Sequence, residues 1–88
     1  MMRINVSQKN YVRIYLFGSA VYSDKPSDID VAIIYDKKNV TPEEILKFRR
    51  YLEQDLFVQT NLCAEAILLS DEEEVELEFL KNARHILL

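Results

Sequence analysis

Three short apolar runs alternate with charged segments along the chain, and each run has the length and composition of a β-strand. The first, residues 11–17, is rich in β-branched and aromatic side chains and stops abruptly at Gly18. The second, residues 29–35, is almost continuously apolar, which is typical of a central strand covered on both faces. The third, residues 62–69, is interrupted by a single charge, Glu65. These patterns predict a small sheet with the second strand inside it.

Two further segments carry the start signals and the spacing of helices. Thr41 can cap a helix that begins at Pro42, and Glu44 completes a capping box with Thr41. Ser70 and Glu73 repeat this box later in the chain. The apolar residues after each cap recur at helical spacing, so we expect them to be buried. They are Ile45, Phe48, Leu52 and Leu56 in the first helix, and Val75, Phe79, Leu80 and Ala83 in the second.

The order of these elements is typical of an α/β (α+β) fold, a small mixed sheet of three to four strands flanked by helices. Residues 2–6 are compatible with one short extra strand. With 88 residues, 49% of them hydrophobic and 30% charged, the chain is near the lower size limit for a single core. We therefore expect residues 1–88 to form one domain.

Charge and cysteine content restrict the partners and the compartment. A net charge of -4 disfavours a protein that holds nucleic acid through its overall field, because such binding requires a basic surface. The single cysteine, Cys63, excludes an intramolecular disulfide, and we expect it to pack as a small hydrophobe. Residues 1–10 lack the apolar core of a secretion signal, and no segment is apolar enough to predict a membrane span. We expect a cytoplasmic location.

The only glycine of the chain stands where the first predicted strand ends and a helical turn can open. Gly18 permits backbone angles that other residues avoid, or lets a ligand approach the backbone closely. Amides at the start of a turn through Ser19 would point at an anion, and the Ser19 hydroxyl adds a donor. Taken alone, a Gly-Ser pair is more often a plain tight turn than a ligand site.

Three acidic residues, Asp28, Asp30 and Glu65, are candidate ligands of a metal ion. Asp28 and Asp30 lie two positions apart at the start of a strand, so their carboxylates project to one face and repel each other. A cation would relieve that repulsion, and clustered carboxylate oxygens are ligands that Mg²⁺ prefers. The alternative is that both are solvated at the end of a polar loop. Glu65 either faces water on an edge strand or completes a carboxylate triad around a metal.

The segment Leu16-Phe17-Gly18-Ser19, eight intervening residues and then Asp28-Ile29-Asp30-Val31 resemble the signature of the minimal nucleotidyltransferases in the DNA polymerase beta superfamily. A later strand with one acid, here Glu65, belongs to the same pattern. Residues 79–83 and 86–88 are similar to the terminal helix and the short closing strand of that family. The resemblance therefore extends over most of the chain and implies a nucleotidyltransferase fold.

The resemblance also implies a reaction and its participants. Asp28 and Asp30 would bridge two Mg²⁺ ions, and Glu65 would bind the ion nearer the attacking hydroxyl and help to accept its proton. ATP or another nucleoside triphosphate would be the donor, with its triphosphate against the backbone amides of Gly18 and Ser19. Small stand-alone members resemble antitoxins that pair with an all-helical HEPN toxin, so a helical partner protein or a homo-oligomer is expected. A nucleic acid acceptor also occurs in the family, but the charge does not support one.

The chain departs from the family pattern in several places. The loop between Ser19 and Asp28 is shorter than usual, and Val21-Tyr22-Ser23-Asp24 stands where an Arg-Gly pair is common. The third acid is Glu65 rather than aspartate. The helix that usually precedes the first strand is missing, which leaves one sheet face with little cover unless a partner supplies it. A catalytically inactive module that keeps the fold and masks a partner protein is therefore the alternative function.

Overall fold

The computed structural model describes residues 4–88, which form a mixed sheet with helices on both of its faces. The elements in chain order are β1 (Val12–Phe17), a 3-10 turn (Gly18–Val21), β2 (Ile29–Tyr35), α1 (Pro42–Thr60), β3 (Ala64–Ser70), α2 (Asp71–Leu77), α3 (Phe79–Asn82) and β4 (His85–Leu87). Residues 4–6 form no strand, and residues 2 and 3 of the expected extra strand lie outside the described residues. The fourth strand is instead β4, at the other end of the chain.

The sheet has the strand order β3-β2-β1-β4, so the two apolar strands β1 and β2 lie inside it. β1 runs antiparallel to both β2 and β4, whereas β2 and β3 are parallel. A parallel pair needs a long crossover connection, and α1 supplies it between β2 and β3. The central position predicted for the second strand is confirmed, and the mixed sheet is the one expected of the fold class.

One face of the sheet packs against α1. Ile45, Leu52 and Leu56 are the buried residues of this helix, and Phe48 packs against the same cluster while partly exposed. Both reciprocal hydrogen bonds of the Thr41 capping box are present, so the predicted start of the helix is confirmed. The helix ends at Asn61, whose left-handed backbone (φ 59°) lets the chain turn back toward β3.

The opposite face of the sheet is covered by the chain itself. The buried side chains on this face are Tyr15, Ala32, Ile34 and Leu69. Phe79 and Leu80 of α3 pack over them, and the rings of Phe17 and Phe79 meet edge to face with their centroids 5.1 Å apart. The expectation that this face needs a partner for cover is therefore wrong, because the short C-terminal helix supplies the missing apolar surface.

The last predicted helix is broken in two. The Ser70 capping box is formed as predicted, but Glu78 adopts a left-handed backbone (φ 51°) that ends α2 and starts α3. This break redirects Phe79 toward the sheet and leaves Val75 on α2 73% exposed. Val75 was therefore wrongly predicted as part of a buried stripe, because helical spacing assumes an uninterrupted helix.

Cys63 was also predicted wrongly. The thiol is exposed rather than packed as a small hydrophobe, because β3 begins one residue later, at Ala64. Within residues 4–88, no helix has both the length and the apolar character needed to cross a membrane.

Leucines on the two sides of α1 give a test of this packing. Leu52 is fully buried and Leu46 is 49% exposed. Leu52→Ala should lower the free energy of unfolding by about 2–5 kcal/mol, because it leaves a cavity under the sheet. Leu46→Ala, the matched control, should change it by less than about 0.5 kcal/mol. Urea unfolding followed by circular dichroism measures both, and equal losses would contradict the placement of α1.

Candidate active site

The backbone of Gly18 lies against the carboxylate of Asp30. The antiparallel register of β1 and β2 pairs Phe17 with Asp30, so the next residue passes over the start of β2. Gly18 has a positive φ of 75°, and a Cβ atom at this position would lie 2.7 Å from Oδ2 of Asp30. A side chain at position 18 would therefore be both strained and in collision with the carboxylate. The two sequence motifs meet here, and the glycine is what permits the contact.

A short 3-10 turn begins at Gly18 and presents Ser19 at the surface. Ala20 is completely buried and anchors the turn in the core, while Ser19 is exposed. The amides of Tyr22 and Ser23 donate to the carbonyl oxygen of Ser19, at 3.2 and 2.9 Å. No side chain caps the start of the turn, so none competes for its first N–H groups. The helical turn expected after Gly18 is thus present.

Asp28 and Asp30 form an electrostatically coupled pair. Asp28 is exposed, whereas Asp30 is partly buried as the second residue of β2. Burial raises the pKa of Asp30 above the usual aspartate value of 3.8, and the neighbouring negative charge of Asp28 raises it further. No cation of residues 4–88 forms an ion pair with Asp30. The carboxylate therefore occupies a position at which a bound cation would lower the free energy.

Phe17 forms part of the surroundings that desolvate Asp30. The two residues are direct partners across β1 and β2, so their side chains share one face of the sheet. The Phe17 ring is held on that face by its contact with Phe79 of α3. The aromatic pair thus gives Asp30 an apolar neighbour on its face of the sheet.

Glu65 shares the face of Asp30 but is not part of a ready-made metal site. In the parallel register Asp30 and Glu65 are partners, so their side chains project to the same side of the sheet. Glu65 itself is exposed on the edge strand β3. Among residues 4–88, no three His, Cys, Asp or Glu side chains are grouped closely enough to hold a metal ion. The role of Glu65 as a third ligand stays a prediction.

Arg84 is a neighbour of the turn that sequence reasoning did not single out. Its guanidinium carbon lies 5.5 Å from the centre of the Tyr22 ring, directly after the 3-10 turn. Arg84 and Tyr22 are far apart in sequence, and no motif connects them. Only the pairing of β4 with β1, which sets His85 opposite Phe17, brings the two together. His85 is exposed, and its ring meets the Tyr15 ring edge to face.

A groove of about 700 Å³ lies at the other end of the sheet. Half of its lining residues are acidic, namely Asp71, Glu72, Glu73 and Glu76. The others are Tyr35, Lys37, Ser70 and Val75. Lys37 is paired there with Glu72 at 2.7 Å. These acidic residues would repel a polyphosphate, and the groove follows the carboxyl ends of β2 and β3, whereas Asp28, Asp30 and Glu65 lie at their amino ends. The groove is therefore not part of the candidate site.

Gly18→Ala tests the contact between Gly18 and Asp30. The positive φ should cost about 1–2 kcal/mol of stability, and displacement of the Asp30 carboxylate should add to that cost. In an Asp30→Ala background only the cost of the positive φ remains, so the penalty for Gly18→Ala should be smaller. Urea unfolding of the four proteins gives the coupling energy. Additive effects, within about 0.3–0.5 kcal/mol, would show that the two residues do not touch.

The raised pKa of Asp30 gives a second test, in metal-free buffer. Because the folded state binds the Asp30 proton more tightly than the unfolded state, this group contributes less stability as the pH rises through and above 3.8. Asp30→Asn removes the effect, so the variant should gain stability relative to wild type with rising pH until the folded carboxyl is ionised. Urea midpoints at successive pH values measure the difference. Asp28→Asn should give a smaller change of the same sign, because burial contributes more than the Asp28 charge to the raised pKa of Asp30. If stability changed with pH in parallel for Asp30→Asn and wild type, the raised pKa would be refuted.

Comparison with known proteins places the chain in a family. The family model described as "Polymerase beta, Nucleotidyltransferase" matches residues 2–87, which include the Gly18-Ser19 turn, the Asp28 and Asp30 pair and all four strands. A search of curated proteins and a search of solved structures each found no match. Since the family match covers nearly the whole chain, this protein belongs to the DNA polymerase beta-like nucleotidyltransferase family.

Proposed function

We propose that this chain is a Mg²⁺-dependent nucleotidyltransferase that transfers AMP from ATP to a hydroxyl group. Family membership supports the class of reaction. The observation that carries the proposal is the contact between Gly18 and the Asp30 carboxylate, beside the second carboxylate of Asp28. A protein that served only as a scaffold would have no need for a glycine packed against a partly buried, unneutralised carboxylate.

The carboxylates fit Mg²⁺ by their chemistry and by their surroundings. Mg²⁺ prefers oxygen ligands, and the desolvation that raises the pKa of Asp30 would be offset by a bound cation. Gly18 presents no side chain toward Oδ2 of Asp30. Glu65, exposed on the same face, would complete the ligand set by rotation of its side chain. When bound, the metal ions would supply charge neutralisation for the phosphates and the departing pyrophosphate.

The residues of the chain would hold the donor and remove one proton. The triphosphate would lie against the first amides of the 3-10 turn, with the Ser19 hydroxyl as an additional donor. The acceptor oxygen would then form a bond to the α-phosphorus as the bond to pyrophosphate breaks. Glu65, which shares the face of Asp30, would accept the proton of the attacking hydroxyl.

The acceptor we propose is a hydroxyl of a helical partner protein, as in an antitoxin that modifies a HEPN toxin. The net charge of -4 disfavours a nucleic acid acceptor. α1 carries exposed large apolar side chains, including Tyr51 (53% exposed), Phe57 (48%) and Val58 (74%). Exposed apolar groups of this kind favour contact with another protein.

A second candidate is an inactive module that masks a partner protein without modifying it. The observation in its favour is that Asp28, Asp30 and Glu65 do not form a three-ligand group. This candidate keeps the same protein contact through α1 and omits the transfer. The two candidates differ in a chemical product, so one experiment separates them.

The test incubates the purified protein with Mg²⁺, ATP and the product of each adjacent reading frame, and reads all the proteins by intact mass spectrometry. We expect a mass increase of one adenylate or more on the partner. Asp28→Asn and Asp30→Asn should each reduce the transfer by two orders of magnitude or more, on the scale seen when a group that stabilises transition-state charge is lost.

The control is Asp71→Asn, an exposed aspartate at the far end of the sheet that pairs with Arg13. It should leave transfer unchanged. A stable complex with no mass change would favour the inactive module. An unchanged melting temperature on addition of Mg²⁺ and ATP, for wild type and Asp30→Asn alike, would refute nucleotide binding altogether.

A further inference from the structure

We propose that Arg84 binds the triphosphate of the donor nucleotide, and that the Tyr22 ring holds its guanidinium beside the 3-10 turn. This inference rests on the proposed function and adds to it the residue that recognises the polyphosphate. It assigns a binding role to the cation-π contact, in which the Arg84 guanidinium carbon lies 5.5 Å from the ring centre.

The candidate site is short of positive charge. It places Asp28 and Asp30 beside a turn that is expected to receive a strongly anionic triphosphate. Between Gly18 and Asp30 the sequence has a single cation, Lys25. Backbone amides and one hydroxyl provide hydrogen bonds but no net charge. Discrimination of a triphosphate from a monophosphate therefore calls for a cation from another part of the chain.

The backbone of Arg84 is fixed on both sides. Before it, the amide of Ala83 donates to the carbonyl oxygen of Phe79 at 2.9 Å, which ends α3. After it, His85 pairs with Phe17 in the sheet, and its Nδ1 lies 2.7 Å from the carbonyl oxygen of Ala83. Because Phe17 immediately precedes Gly18, the same strand pairing that closes the sheet places Arg84 at the end of β1 where the site lies.

Tyr22 orients the guanidinium while leaving its donors available. The amide of Tyr22 is tied to the turn through the Ser19 carbonyl oxygen at 3.2 Å, and the ring is 64% exposed. A cation-π contact uses no oxygen acceptor, so the N–H groups of the guanidinium can still bind a phosphate in bidentate geometry. Tyr22 therefore positions Arg84 without competing for the ligand.

Arg84 is one of the described cations that have no carboxylate partner. Within residues 4–88, its guanidinium has no Asp or Glu oxygen within 4.0 Å. Lys81 on the preceding helix pairs with Glu78 at 3.8 Å, and Arg13 pairs with Asp71 at 3.2 Å. The charge of Arg84 is therefore available to an anion, and its position next to the turn makes that anion the triphosphate.

Calorimetric titration of the purified protein with Mg²⁺-ATP, Mg²⁺-tripolyphosphate and AMP tests the inference. Arg84→Ala should raise the Kd for ATP and for tripolyphosphate roughly tenfold, as expected for loss of a charge-assisted bidentate contact, and should change AMP binding little. Arg84→Lys should recover only part of the affinity, because an ammonium cannot form the bidentate contact. Tyr22→Ala should weaken binding in the same direction, whereas Tyr22→Phe, which keeps the ring, should bind as wild type does.

Two variants with the same loss of charge serve as controls: Arg50→Ala on the exposed side of α1, and Lys25→Ala in the loop before Asp28. Each should have a smaller effect than Arg84→Ala on tripolyphosphate binding. An Arg84→Ala protein that binds ATP as well as wild type, or no worse than these controls, would overturn the inference and leave the proposed function intact. Equal losses for Tyr22→Phe and Tyr22→Ala would show that the hydroxyl, not the ring, acts, and would overturn the positioning role. A wild-type protein that binds no nucleotide would overturn both proposals.

Discussion

The approach of the Gly18 backbone to the Asp30 carboxylate is the contact on which the rest of the candidate site depends. A Cβ atom at position 18 would lie 2.7 Å from Oδ2, so every other amino acid would force either the turn or the carboxylate to move. The contact joins the two sequence motifs in space, because the Phe17 to Asp30 register brings the end of β1 over the start of β2. One strand register therefore brings the 3-10 turn and the Asp30 carboxylate together.

This geometry has an electrostatic cost that the core must offset. Asp30 is partly buried and feels the charge of Asp28, and both effects raise its pKa, which means that its ionised form is disfavoured in the folded protein. The strands that carry the site are apolar in compensation, since Ile14, Leu16, Ile29 and Val31 are almost fully buried. Burial of each such side chain contributes about 1.5–3 kcal/mol. The core can therefore maintain a carboxylate whose ionised form is disfavoured in the folded protein.

Sequence patterns predicted the local elements better than their arrangement. Capping boxes at Thr41 and Ser70 involve residues close in sequence, and both helix starts were predicted correctly. The break at Glu78 was not predicted, because a left-handed glutamate has no composition signal, and Val75 was therefore wrongly placed in the core. The Gly-Ser and Asp-x-Asp motifs identified the family, which the match to residues 2–87 confirms. Arg84 was missed because its proximity to Tyr22 arises only from the pairing of β4 with β1.

β1 connects these observations, because it takes part in both halves of the site. On one side it sets Phe17 opposite Asp30, and on the other it sets Phe17 opposite His85 of β4. β4 has only three residues and lies at the sheet edge, so it is held by few hydrogen bonds and by the contacts of α3 that precede it. Edge elements of this kind open at lower free energy than central strands. Asp30 on β2 is therefore held by a central strand, whereas Arg84, between α3 and the edge strand β4, depends on the C-terminal part of the fold for its position beside the turn.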